Sequence, residues 1–204
     1  MTQKIIALAS YKGGVGKTTS AIHLAQQFAI TTQQRVALVD SDLNESALAW
    51  GEMAMHKKFD ILNQSQPIEA YDWVFVDSQA RPDRELMAAL ASGADLILIP
   101  SETSATPLRV TAATAFDLPP DCKNYRVFFN KVPSKPTPRG RAAMAREALI
   151  ALGIPVLKSS IAVRPAIPTA ESTSQTLTDS RPRSVALARQ DYQALAEEIL
   201  ELLK

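Results

Sequence analysis

The sequence predicts a doubly wound α/β fold: a single, mostly parallel sheet with helices on both faces. Three observations lead there. Short β-rich apolar runs alternate with longer helical patterns along all 204 residues. Those runs are continuously apolar rather than alternating, as expected of strands covered on both faces. No internal repeat or long linker divides a chain of this length, so residues 1–204 are read as one domain large enough to bury a core.

Taken in order, residues 5–9 (Ile-Ile-Ala-Leu-Ala) predict a first strand, followed by a helix over 17–28. Residues 36–39 predict a second strand. Residues 73–76 predict another, with a helix over 84–91 behind it. The run 96–99 stops at Pro100, and 127–129 stops at Asn130. Pro133, Pro136 and Pro138 mark a surface loop before a helix over 139–152 that ends at Gly153. The polar stretch 170–179 is expected as a loop over the sheet's edge. Ser184 is expected to cap a last helix running to 203. In such folds ligands bind at the carboxyl ends of the strands.

Composition narrows the class. The chain is 46% hydrophobic with a net charge of +1, too apolar and too balanced for disorder. It shows no apolar run near the ~20 residues of a membrane span and no signal-peptide pattern. Cys122 is the only cysteine, which rules out an intrachain disulfide and argues against a zinc cluster. A cytoplasmic domain is expected. The charge is uneven: residues 1–119 hold 9 Lys+Arg and 13 Asp+Glu, residues 120–204 hold 13 and 8. Residues 123–189 carry 12 basic and 3 acidic side chains, an excess of nine that suggests a polyanionic partner. The competing reading is basic residues scattered over solvated faces.

After the first strand comes Tyr11-Lys12-Gly13-Gly14-Val15-Gly16-Lys17-Thr18-Thr19. A glycine-rich turn opening a helix lets backbone N–H groups wrap a polyphosphate where the helix dipole favours negative charge. Lys17 would reach the β- and γ-phosphates, and the Thr18 hydroxyl would ligate Mg²⁺. Position 11 is Tyr where the ordinary pattern has Gly. Lys12 is a second lysine, placed on the outer side of the turn, where it could serve a facing subunit as an arginine finger does.

Three further strand ends carry chemistry. Asp40 and Asp42 are two residues apart at the second strand's end, on one side of it. One could hold a metal-bound water while the other orients an attacking water; the plainer reading is helix-capping acids. The run Trp73-Val74-Phe75-Val76-Asp77-Ser78 ends in one acid, Asp77, suited to binding Mg²⁺ through water. Ser78 would begin a γ-phosphate-sensing switch. Asn130 offers the donor and acceptor that adenine's edge requires, or is a strand-end turn residue.

The loop KGGVGKTT resembles the deviant Walker A signature of the ParA/MinD ATPases, and it is the first of three nucleotide motifs that stand in that family's order. The resemblance implies ATP and Mg²⁺ as cofactors, with Gly13, Gly14, Val15, Gly16, Lys17, Thr18, Thr19 and Asn130 holding the nucleotide. It implies that Lys12 crosses to a facing subunit, Asp42 positions the nucleophilic water, and Asp40, Asp77 and Thr18 support the metal. Leu43-Asn44 stands where the family has Pro-Gln, and Ser78-Gln79 where it tends to have Thr-Pro. Val163, Arg164 and Pro165 are expected against the base.

By that resemblance the chain is similar to a short ParA-type partition ATPase, without an N-terminal helix-turn-helix domain. It would form a sandwich dimer with ATP, bind nonspecific DNA on the nucleoid, and position a plasmid, chromosome or protein cargo. A ParB-like or adaptor protein would stimulate a slow hydrolysis. Arg181, Arg183 and Arg189 are the first candidates for DNA contact, and Arg139, Arg141 and Arg146 the second; pairing with Asp179 and Asp191 is the alternative. A MinD-like membrane role is disfavoured, because residues 184–204 carry two basic and four acidic side chains. The nitrogenase iron protein needs two cysteines per subunit. Amidoligase-like enzymes remain the metabolic alternative.

Overall fold

The computed structural model describes residues 2–134, 140–178 and 183–204, with residues 183 and 184 described as backbone. The strands are β1 (Lys4–Leu8), β2 (Val36–Ser41), β3 (Asp60–Asn63), β4 (Trp73–Ser78), β5 (Leu96–Ser101), β6 (Tyr125–Val132) and β7 (Val156–Ala162). The helices are α1 (Lys17–Thr32), α2 (Ser46–Met53), α3 (Arg84–Gly93), α4 (Ala105–Phe116), α5 (Arg141–Ala151), α6 (Ala166–Ser172) and α7 (Arg183–Leu202). The strands form one sheet in the order β3-β2-β4-β1-β5-β6-β7, with every pair parallel. This is the doubly wound fold that the sequence predicts. From β1 the chain builds β2–β4 on one side and β5–β7 on the other, so the crevice of the strand-order reversal opens beside β1.

Burial on both faces explains the continuously apolar strands. Ile6 and Leu8 of β1 pack with Leu24, Ala25 and Phe28 of α1 and with Leu195 and Ile199 of α7. Ala7 and Ala9 point the other way, into a cluster with Met87 of α3, Ala112 of α4 and Ala145 of α5. Phe28 meets Trp73 and Phe75 edge-on, at centroid distances of 5.0 and 4.9 Å. Truncating such a buried ring costs about 3–5 kcal/mol. On α7, Ala188, Tyr192, Leu195, Ala196 and Ile199 recur at helical spacing and are all buried.

Several elements depart from expectation at the periphery. β3 and β7 are edge strands with polar residues, so neither shows a continuous apolar run. The helix of α1 extends to Thr32, where Gln33 turns left-handed at φ 57 and ends it. Residues 170–172, expected in a loop, belong to α6: Ala166 and Ala170 bury one face a turn apart, and the Gln175 amide closes the end on the Ala170 carbonyl. Helix α7 begins at Arg183, which puts Ser184 inside it rather than at its cap. No helix among the described residues is long and apolar enough to cross a membrane.

Candidate functional site

The β1–α1 loop lies at the carboxyl edge of the central strand, and α1 starts immediately behind it at Lys17. Gly14 and Gly16 take left-handed φ values of 70° and 93°, which only glycine adopts at little cost. At Gly16 space is also limiting: a Cβ there would sit 2.4 Å from Asn130 Nδ2. Val15 and Lys17 are buried, while Gly13 and Gly14 face open space. Tyr11 departs from the glycine pattern because its ring joins the apolar cluster under α3, α4 and α5. Its backbone N–H also donates to Thr114 Oγ1 at 3.3 Å.

The loop borders a cleft of about 980 Å³ whose walls include Lys17, Thr18, Asp42, Trp50, Asn130 and Arg164. Asp77 lies deep beside it, fully buried, and neither carboxylate oxygen accepts a hydrogen bond from any described residue. Burial pushes its carboxyl up to about 6, with Thr18 and Lys17 nearby pulling the other way. An orphaned carboxylate beside a threonine hydroxyl and a lysine fits a hydrated divalent cation, whose waters would supply the missing donors.

The two other acids serve different ends. Asp42, half-exposed on the cleft, accepts hydrogen bonds at Oδ1 from the Asn44 backbone N–H (3.0 Å) and from Asn44 Nδ2 (2.8 Å). Asn44 therefore braces Asp42 in the loop where Pro-Gln is missing. Asp40 is buried, and its Oδ2 accepts from the N–H groups of Ala47 (2.8 Å) and Leu48 (3.0 Å) at the start of α2. Its Oδ1 accepts from the Asp42 N–H at 3.1 Å. Asp40 therefore caps the start of α2 and places Asp42, and Oδ1, with a single donor, keeps a lone pair of the kind that a metal-bound water would need.

The CobQ/CobB/MinD/ParA nucleotide binding domain family matches this chain over residues 6–177. The chain belongs to that family.

As a ParA/MinD-type member it is an ATPase. It is 30% identical over 206 residues to the maintenance of carboxysome distribution protein A of Gloeobacter kilaueensis, covering 96% of this chain and 94% of that protein. Among solved structures it resembles a chain of the MinC:MinD cell division protein complex of Aquifex aeolicus. There the TM-score is 0.74 with 17% identity, covering 97% of this chain and 96% of the other. A putative plasmid partition protein from Borrelia burgdorferi bound to AMPPNP gives a TM-score of 0.70 with 16% identity, covering 98% and 100%. These two similarities bear on the fold.

In this ParA/MinD-type chain the remaining motif residues occupy distinct places. Thr18 and Thr19 line the cleft. Thr19 Oγ1 donates to Glu171 Oε1 at 3.3 Å. Asn130, expected to face a base, lines the cleft and is buried against the loop. Its Nδ2 donates to the Val15 carbonyl (2.8 Å), and its Oδ1 accepts from the Lys131 N–H (2.9 Å). Lys131, at φ 54, adds a bond from Nζ to the Gly14 carbonyl at 2.6 Å. Ser78 donates to the Leu8 carbonyl at 2.7 Å, joining β4 to β1 rather than opening into the cleft.

The basic residues divide as well. Arg139 and Arg181 lie outside the described residues, as does the side chain of Arg183. Arg141 is exposed at the start of α5, and Arg189 is half-buried on α7. Arg146 donates to the carbonyls of Leu157 and Lys158 and lies 5.5 Å from the centroid of the Phe129 ring. Its guanidinium is thus committed to joining α5 and β7. Among the described residues Asp191 pairs with Arg164, and Asp179 lies outside them.

Sequence reasoning missed Glu102, Glu171 and Tyr192. Glu102 follows β5 at the carboxyl edge, a position that strand-end logic alone could have flagged. Glu171 and Tyr192 reach the cleft from helices whose sequence carries no motif.

Proposed function

We propose that this chain is a ParA-type positioning switch. ATP joins two copies in a sandwich dimer, the dimer binds DNA without sequence preference, and an adaptor protein stimulates hydrolysis and release. The observation that carries this reading is the separation of two lysines in one glycine-rich loop. Lys17 is buried at the start of α1, where it serves the nucleotide of its own subunit, while Lys12 stands apart, bound to Glu102 instead of the cleft. A second lysine held outside the cleft by one carboxylate is placed to exchange that partner for a phosphate on a facing copy.

Within the cleft, Asp42 orients the attacking water, and Lys17 with a facing Lys12 balances the charge that builds on the transferred phosphoryl oxygens. Thr18 and Asp77 would hold Mg²⁺, which neutralises phosphate charge when bound. Similarity to a protein named for carboxysome distribution favours a protein assembly as cargo over a plasmid or chromosome.

Size-exclusion chromatography with light scattering in ATP and in ADP tests the switch. Lys12→Ala should bind nucleotide and stay monomeric, and Asp42→Ala should form a persistent dimer. A wild-type protein that stays monomeric in ATP, in the Asp42→Ala background too, overturns the sandwich. Absence of ATP-dependent binding to random duplex DNA at ~50 mM salt overturns the DNA arm.

A further inference from the structure

The cleft wall facing the phosphate loop is the segment from Ala162 to Pro165, between β7 and α6. It is tied to α7 by one residue. Arg164 Nε lies 3.0 Å from Asp191 Oδ2, and Arg164 Nη2 lies 3.2 Å from Asp191 Oδ1. Asp191 Oδ2 also accepts from the Ala162 N–H at 3.2 Å. The pair is only about one-fifth exposed, and a two-point Arg–carboxylate bond fixes the plane of the guanidinium as well as its position.

The next residue on α7 holds the opposite wall. Tyr192 is buried, and its hydroxyl lies 3.5 Å from Ser20 Oγ in the first turn of α1. Its ring is 5.0 Å from that of His23. Two consecutive residues of α7 thus grip both sides of the cleft, one through Arg164 and one through Ser20. A ligand that changes the gap between the walls acts on α7 through these grips, in addition to the apolar contacts of Leu195 and Ile199 with α1 and β1.

We infer that Asp191 is a positioning residue for the nucleotide's base side, and that through it α7 responds to cleft occupancy. Asp191 holds Arg164 and its neighbours where a purine base would pack; Tyr192 keeps the phosphate-loop helix in register with the same support. Arg189 lies two residues before Asp191, so occupancy of the cleft is relayed to a helix that carries a candidate DNA contact. This inference rests on the nucleotide reading of the cleft, and on neither dimerisation nor DNA binding.

The test uses MgADP, so that ATP-driven dimerisation does not contribute, with titration calorimetry and amide hydrogen exchange on the full chain. In the wild type ADP should slow exchange in both α1 and α7. Asp191→Asn should weaken ADP binding by about tenfold, as loss of a charge-assisted bond implies. It should also abolish the ADP-dependent protection of α7 while sparing that of α1. Arg164→Lys keeps the charge but loses the two-point bond; it should uncouple α7 in the same way and serves if Asp191→Asn does not fold. Unchanged affinity and retained α7 protection in these variants overturn the inference. A wild type that binds no adenine nucleotide overturns the proposed function and this inference with it.

Discussion

Lys12 Nζ lies 2.5 Å from Glu102 Oε1, so the outer lysine of the phosphate loop is neutralised within its own subunit. Both side chains are about 30% exposed, which limits the strength of the pair to roughly that of a surface ion pair. A lysine that reaches a facing nucleotide must first leave this carboxylate. Glu102→Gln should therefore dimerise at an ATP concentration roughly two- to fivefold lower than the wild type, with monomer ADP affinity unchanged. Light scattering across an ATP titration measures it; an unchanged or higher threshold counts against the exchange.

Gly16→Ala strains a backbone at φ 93 and drives a methyl group toward Asn130 Nδ2. It should destabilise the fold by about 1–2 kcal/mol and weaken nucleotide binding, because the bond that ties Asn130 to the loop is displaced. Asn130→Ala in the same chain should recover part of the stability by vacating the space. Urea denaturation of the three proteins checks this.

His23 is fully enclosed, and burial pushes its imidazole down to about 4. The unfolded chain holds it near 6.5, so between those values the unfolded state binds the extra proton. The neutral histidine's contribution is present above about pH 6.5 and is lost as pH falls to about 4, up to about 3 kcal/mol in all. Asp77 acts oppositely over much of the same window: its carboxyl is raised, so its contribution falls as pH rises toward about 6. The measurement is therefore a difference. Thermal unfolding of His23→Gln should lose less stability than the wild type between pH 6.5 and 4; parallel curves would count against the burial effect.

Arg146 and Arg189 should separate fold from DNA binding. Arg146→Ala should cost about 1–3 kcal/mol of stability by leaving the Leu157 and Lys158 carbonyls short of a donor, and should leave DNA affinity near the wild-type value. Arg189→Ala should leave stability nearly unchanged and reduce the salt slope of DNA binding by about 0.9 for each phosphate that the side chain neutralises. Anisotropy across a salt series distinguishes the two; equal slopes for Arg189→Ala and the wild type would remove Arg189 from the interface.

The central strands and the phosphate loop were legible in the sequence because their constraints are local. A strand buried on both faces must be continuously apolar, as Ile6 to Ala9 and Leu96 to Ile99 are. A loop that turns left-handed into a helix must carry glycine at 14 and 16. The loop then offers a charge at Lys17 and a hydroxyl at Thr18, both on the cleft. The acid at the end of β4 was equally readable, since Asp77 terminates an apolar run. What only the tertiary structure decided is the use each polar group is put to. Asp40 and Asp42 look alike in sequence, yet one caps α2 and the other faces the cleft. Asn130 has the chemistry of a base reader, and the fold also gives it a loop carbonyl 115 residues away to hold. Arg164 meets Asp191 across 27 residues, and Lys12 meets Glu102 across 90. The physical reason is that a residue's type fixes which hydrogen bonds and charges it can offer. Which partner takes them depends on distances that arise only when separate strands and helices pack together.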